Sequence, residues 1–136
     1  MLACASNSQI NFHQSRTELR NESDYAEQIQ EIEILKRSMI EYMKSARPSY
    51  TEKDIEKCES ILIEFIQKID KTNSKEEGLA VVKTAVKKLN ELNEKNDFQL
   101  IETDEREKIA KIIISMGNKK GYNALDEDIT EKWREW

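Results

Sequence analysis

The sequence predicts an all-α protein, an antiparallel four-helix bundle with a short C-terminal helix, and three observations carry that reading. One proline and three glycines in 136 residues leave few breakers. Glu, Lys, Ile and Leu, all good or tolerable helix formers, are abundant. Apolar residues recur at three- and four-residue steps in four separate segments, and no stretch alternates apolar and polar residues long enough to argue for a strand.

The first helix is expected at about 24–46, with Tyr25, Ile29, Ile32, Leu35, Met39, Tyr42 and Met43 along one stripe. Ser23 is placed to cap it, and Pro48 stops it because the residue before proline disfavours the αR region. A second helix starts at Thr51, with Asp54 three residues on in capping-box spacing. Ile55, Cys58, Leu62, Phe65, Ile66 and Ile69 form its stripe, and Ile61 and Ile63 widen it. Ser74 and Glu77 make an S-x-x-E box that opens a third helix at about 75–95. A fourth is expected at about 104–116, capped by Thr103 and ended by Gly117 or Asn118. Between the last two, Phe98, Leu100 and Ile101 are expected to dock the loop on the core. Asp128 would cap a short last helix, with Ile129, Trp133 and Trp136 on one face.

Two regions are expected: a polar, aperiodic N-terminal tail over 1–21, and one helical domain over 22–136. The tail opens MLACASNS, which resembles the end of a bacterial lipoprotein signal with Cys4 as the lipidated residue. The basic and apolar regions that such a signal requires do not precede it from Met1. Either the likeness is chance, giving a cytoplasmic protein, or translation starts upstream and the protein is a membrane-anchored lipoprotein of the cell envelope. No run approaches the roughly 18 apolar residues of a membrane-spanning helix.

Charge narrows the partners. The formal net charge is −5 and the pI about 5.1, which argues against nucleic acid, since phosphate backbones require a basic footprint. A basic protein suits this surface better. Catalytic signatures are missing: no phosphate-binding glycine loop, nucleophile elbow or H-E-x-x-H occurs, and His13 is the lone histidine. Carboxylate pairs such as Glu56–Glu59 and Glu91–Glu94 lack the Glu-x-x-His partners of a di-metal bundle. The expectation is therefore a non-enzymatic chain without cofactor or metal, with a carboxylate-based metalloenzyme as a distant alternative.

What remains is the joint at Glu102-Thr103-Asp104-Glu105-Arg106-Glu107. Helix capping and the positive helix end account for Thr103, Asp104 and Glu105. Arg106 is left over. With Glu102, Asp104, Glu107 and Asn93, the last on an Asn90/Asn93/Asn96 ladder, it frames a candidate partner-binding surface. Trp133 and Trp136 join it either as interface anchors or as a latch on the bundle.

The segments LNELNE, LIETDERE and the closing WREW make residues 60–136 resemble a family of small, acidic bacterial proteins, a domain of unknown function. That resemblance implies no activity, cofactor or catalytic residue. It implies that Glu102, Thr103, Asp104, Arg106, Glu107, Trp133 and Trp136 belong to the family's pattern. The chain is also similar in style to bacterial immunity proteins, which neutralise a toxin by binding it. The function expected is a protein-binding module, an immunity-type inhibitor of a basic toxin, acting as a monomer or homodimer. The alternative is a lipid-anchored envelope protein of structural role.

Overall fold

The computed structural model describes residues 22–136, so Cys4, His13 and the expected tail lie outside the described residues. Those residues are all-helical, with no strand among them. A 3₁₀ turn, Glu22–Tyr25, leads into α1 (Ala26–Ala46); α2 (Glu52–Asp70), α3 (Lys75–Lys95) and α4 (Thr103–Lys119) follow.

The starts of these helices follow local chemistry, with two corrections. Ser23 lies inside the 3₁₀ turn rather than at a cap, because Tyr25 precedes the first α-helical residue. At α2, the Asp54 carboxylate accepts the Thr51 N–H at 2.9 Å and the Thr51 hydroxyl at 3.1 Å. Burial opposes ionisation of Asp54, but these bonds and one from Asn96 outweigh it and hold the carboxyl below its ordinary pKa. At α3, Ser74 Oγ accepts the Glu77 N–H at 3.1 Å. At α4 the cap is Glu102, whose N–H donates to Glu105 Oε1 at 3.0 Å, so Thr103 is the first helical residue and not the cap. The helix also runs past Gly117 to Lys119.

The main helix packings are α1 on α2, α2 on α3 and α1 on α4, with a smaller α2–α4 contact. Ile55, Leu62, Ile66, Ile69, Val82, Val86, Leu89, Ile109, Ile112 and Met116 sit wholly or almost wholly inside. The second helix is the most embedded, as its widened stripe requires. Cys58 is a buried free thiol there, and burial, helped by the charges of Glu105 and Glu59, pushes its pKa up to about 12. It is an inert core side chain. Polar side chains tie α1 to its neighbours: Gln28 donates to Ser115 Oγ at 3.0 Å, Lys111 pairs with Glu31 at 3.0 Å, and Lys36 with the buried Glu59 at 3.0 Å.

Beyond α4 the chain forms turns where a short helix was expected, with Glu131 donating to Asp128 and Trp133 and Arg134 both donating to Thr130. The physical reason is that this segment is held from outside rather than by its own ladder. It bridges α3 and α4. The Tyr122 ring covers Gly78 of α3, and its hydroxyl lies 2.8 Å from that of Thr72. Asn123 Nδ2 donates to the Ile114 carbonyl at 3.1 Å, and Asn118 Nδ2 to the Asn123 carbonyl at 2.9 Å. Asn90 Nδ2 donates to the Trp133 carbonyl at 2.9 Å while Asn90 Oδ1 accepts the Glu135 N–H at 3.0 Å.

Gly78 and Gly117 are required by this bridge. A Cβ at Gly78 would overlap the Tyr122 ring, and one at Gly117 would overlap Asn123 Oδ1. An alanine inside an open helix stabilises by about 1 kcal/mol relative to glycine, whereas overpacking costs about 1–3 kcal/mol. Because Tyr122 and Asn123 are both hydrogen-bonded in place, overpacking wins. Gly78→Ala and Gly117→Ala should each destabilise the chain by about 1–2 kcal/mol in denaturant melts, and a gain in stability for either would show that the bridge yields freely.

Candidate functional site

The joint before α4 is built by asparagine amides. The αL backbone of Asp97 (φ 56°) and Phe98 (φ 60°) turns the chain sharply after α3. Phe98 then donates its N–H to the Asn93 carbonyl at 2.8 Å, and Ile101 donates to Asn93 Oδ1 at 2.9 Å. Asn96 Nδ2 closes the end of α3 by donating to the Leu92 carbonyl at 2.9 Å. The loop between α1 and α2 joins in, with Ser49 Oγ donating to the Asn96 carbonyl at 2.9 Å and the Ser49 N–H donating to Gln99 Oε1 at 3.0 Å.

Asn90, Asn93 and Asn96 are thus all buried and committed to backbone groups, so the expected ladder is an internal scaffold. Asn93 does not present its side chain to solvent. Leu100 and Ile101 dock on the core as expected, but Phe98 does not: it is 55% exposed. Tyr42, expected on the inner stripe of α1, is also exposed, whereas Tyr50 is buried. Burial and the nearby charges of Glu105, Tyr42 and Glu102 push the Tyr50 hydroxyl up to about 12.

The acidic knot divides into two sets. Glu102 and Glu105 form the cap, and Asp104 pairs with Lys108 at 2.8 Å, one turn along. The Arg106 guanidinium, half-buried, makes no hydrogen bond, ion pair or ring contact among the described residues. The acidic neighbour one turn before it, Glu102, is engaged in the capping box at the start of α4. Glu107 is exposed and lines a groove between α1 and α4. Arg106 stands eleven residues before Gly117, three helical turns away on the same side of α4 that faces the C-terminal bridge.

The tryptophans belong to that bridge. Trp136 is buried in the core and Trp133 is half-buried against it. Arg134 lies over the Trp136 ring with its guanidinium carbon 5.8 Å from the centroid, and also donates to the Trp136 carbonyl at 3.0 Å and to Asp128 Oδ2 at 3.2 Å. Asp128 Oδ1 accepts the Thr130 hydroxyl at 2.6 Å and its N–H at 2.9 Å. Burial works against the Asp128 charge, yet these donors together hold its carboxyl below the ordinary carboxylate range. Among the described residues no group of His, Cys, Asp and Glu is arranged to hold a metal ion, and no helix is long and apolar enough to cross a membrane.

Sequence reasoning missed Phe98 as a surface feature. Apolar character suggested docking, and only the positive φ at two successive non-glycine residues turns the ring outward.

Three substitutions test this geometry. Thr103→Ala should change stability by less than about 0.5 kcal/mol, as for a surface position, while Asn93→Ala, which strands a buried N–H, should cost about 1–3 kcal/mol. For Asp128 the folded pKa is lowered, so its contribution is present above the unfolded value near 3.9 and fades as pH falls through the folded value. Asp128→Asn should therefore lower the melting temperature at neutral pH and narrow the gap from wild type below about pH 4; a gap unchanged with pH would remove the carboxylate from this account. No family model, curated protein or solved structure matches this chain.

Proposed function

We propose that this chain is a non-enzymatic protein-binding module, an immunity-type inhibitor whose contact surface is the joint opening α4. One observation carries the reading. The joint commits Glu102, Glu105, Asp104 and Asn93 to the fold, and leaves Arg106 uncommitted among the described residues, eight positions after an exposed Phe98 held at positive φ. An αL conformation at a bulky residue costs on the order of 1–3 kcal/mol and persists where the surroundings impose it, often at ligand-binding positions. Arginine and aromatic side chains dominate interface energetics. The chain's formal charge of −5 suits a basic toxin. In this reading the four helices form an antiparallel bundle that serves as a rigid platform, Trp133 and Trp136 latch it, and the inhibitor acts in the cytoplasm.

Arg106→Ala should weaken capture of the partner about tenfold or more, the scale of a hot-spot residue, with the melting temperature almost unchanged. A large thermal loss would make Arg106 structural. Phe98→Gly should move the two readouts in opposite directions: stability rises by about 1 kcal/mol as strain is relieved, while partner binding falls. If full-length bait at micromolar concentration recovers no stoichiometric partner from the source cell, the inhibitor reading fails.

A further inference from the structure

On the outer seam of α2 and α3, two cavities of about 260 and 310 Å³ share Ile61 and Lys88 and so form one open cleft. Lys57 of α2 lies by Lys95 of α3, and Lys68 by Val81, so these two helices run in opposite directions along it. The floor is apolar, with half-buried Ile61 and Val81 open in it above the buried Phe65, Ala85 and Leu92, while the small, exposed Ala80 and Thr84 leave the α3 side low. From Lys57 to Lys68 the cleft is about 17 Å long at 1.5 Å per residue, which is three turns of an α-helix.

Its charge is opposite to that of the molecule. Lys57, Lys68, Lys88 and Lys95 line it with Glu64 and Glu91, and Asp54 lies within charge range of Lys57, in a chain of net charge −5. Glu64 is already neutralised, held by Lys68 at 3.0 Å and Lys88 at 3.1 Å. Lys57 and Lys95 form no ion pair among the described residues.

We infer that this cleft is a docking site for an acidic amphipathic helix of a partner protein, independent of the α4 joint. Apolar residues at i, i+3, i+4 and i+7 would enter the floor, and carboxylates on both flanks would meet the lysines of the two rims. The distribution of charge favours a helix over a single-headed anionic amphiphile. The lysines stand on both sides and at both ends, so they match carboxylates repeated along a rod rather than one headgroup. Nucleic acid fits poorly, because no exposed aromatic ring lines the cleft for stacking.

The test uses the full chain and two labelled helical peptides of about 18 residues, each with Leu at i, i+3, i+4 and i+7. One carries Glu and the other Lys at the remaining positions. The Glu peptide should bind about tenfold or more tightly than the Lys peptide, an advantage that salt screens, with amide shifts centred on Ile61, Ala80, Thr84 and Lys88. The double variant Lys57→Glu/Lys95→Glu should weaken it about tenfold, and Thr84→Trp, at an exposed helical position, should abolish it with helical circular dichroism intact. If Thr84→Trp does not fold, the surface charge variant alone decides. Equal binding of the two peptides, shifts on another face, dodecanoate displacing the peptide at lower concentration, or a self-dimer that Thr84→Trp disrupts would each overturn the proposal.

Discussion

The structure depends on one constraint, the absence of a Cβ at Gly78 and Gly117 where the C-terminal segment crosses from α3 to α4. These two helices are not among the main packed pairs. Tyr122, Ile129 and Trp136 supply apolar cover on that side, and each is buried. Two glycines inside helices would ordinarily weaken them, and here the loss is offset by close approach of the covering segment. Its backbone polar groups are then met by helix side chains, with Asn90 serving both a carbonyl and an N–H.

Asparagine plays the same part elsewhere. Asn93 and Asn96 bind main-chain groups of a loop and a helix end that have no ladder of their own, and Asn123 ties the carbonyl of Ile114 in α4 to that of Ala124 in the following loop. A buried amide serves loops well because it both donates and accepts without carrying charge into the interior. Charged residues are left to helix ends and the surface, apart from the buried Glu59, which Lys36 pairs. Glu102–Glu105 and Thr51–Asp54 close helix starts, and the ion pairs Asp104–Lys108 and Glu64–Lys68 lie one turn apart on exposed faces. Such exposed pairs contribute at most about 1 kcal/mol each.

Two surfaces remain after the fold's own needs are met, and they differ in sign. The α4 joint presents Arg106 among carboxylates and an exposed Phe98 in the loop before it, while the α2–α3 cleft presents lysines around an apolar floor. Arg106 lies on α4 and the cleft on α2 and α3, and the two meet only at the end of α3, where Leu92 and Lys95 adjoin Asn93 and Asn96. Effects of residues that share no partners add independently, and separate measurement of the two surfaces is therefore meaningful.

The sequence by itself determined the helices. Spacing of apolar residues, the Thr51–Asp54 and Ser74–Glu77 boxes and Pro48 mark α1 to α3 to within a few residues, because caps and periodicity are local properties. The α4 cap was shifted by one residue, since Glu102 and Thr103 offer competing oxygens and only the loop geometry selects between them. The tertiary structure alone decided the rest. It buried the asparagines of α3, turned Phe98 outward through left-handed backbone, and left Arg106 without an ion pair among the described residues by committing Glu102 to the cap of α4. It also replaced the expected last helix with turns, because Ile129 and Trp136 are buried on the core and Asn90 of α3 takes the Trp133 carbonyl and the Glu135 N–H from outside, where a short isolated helix has little stability of its own.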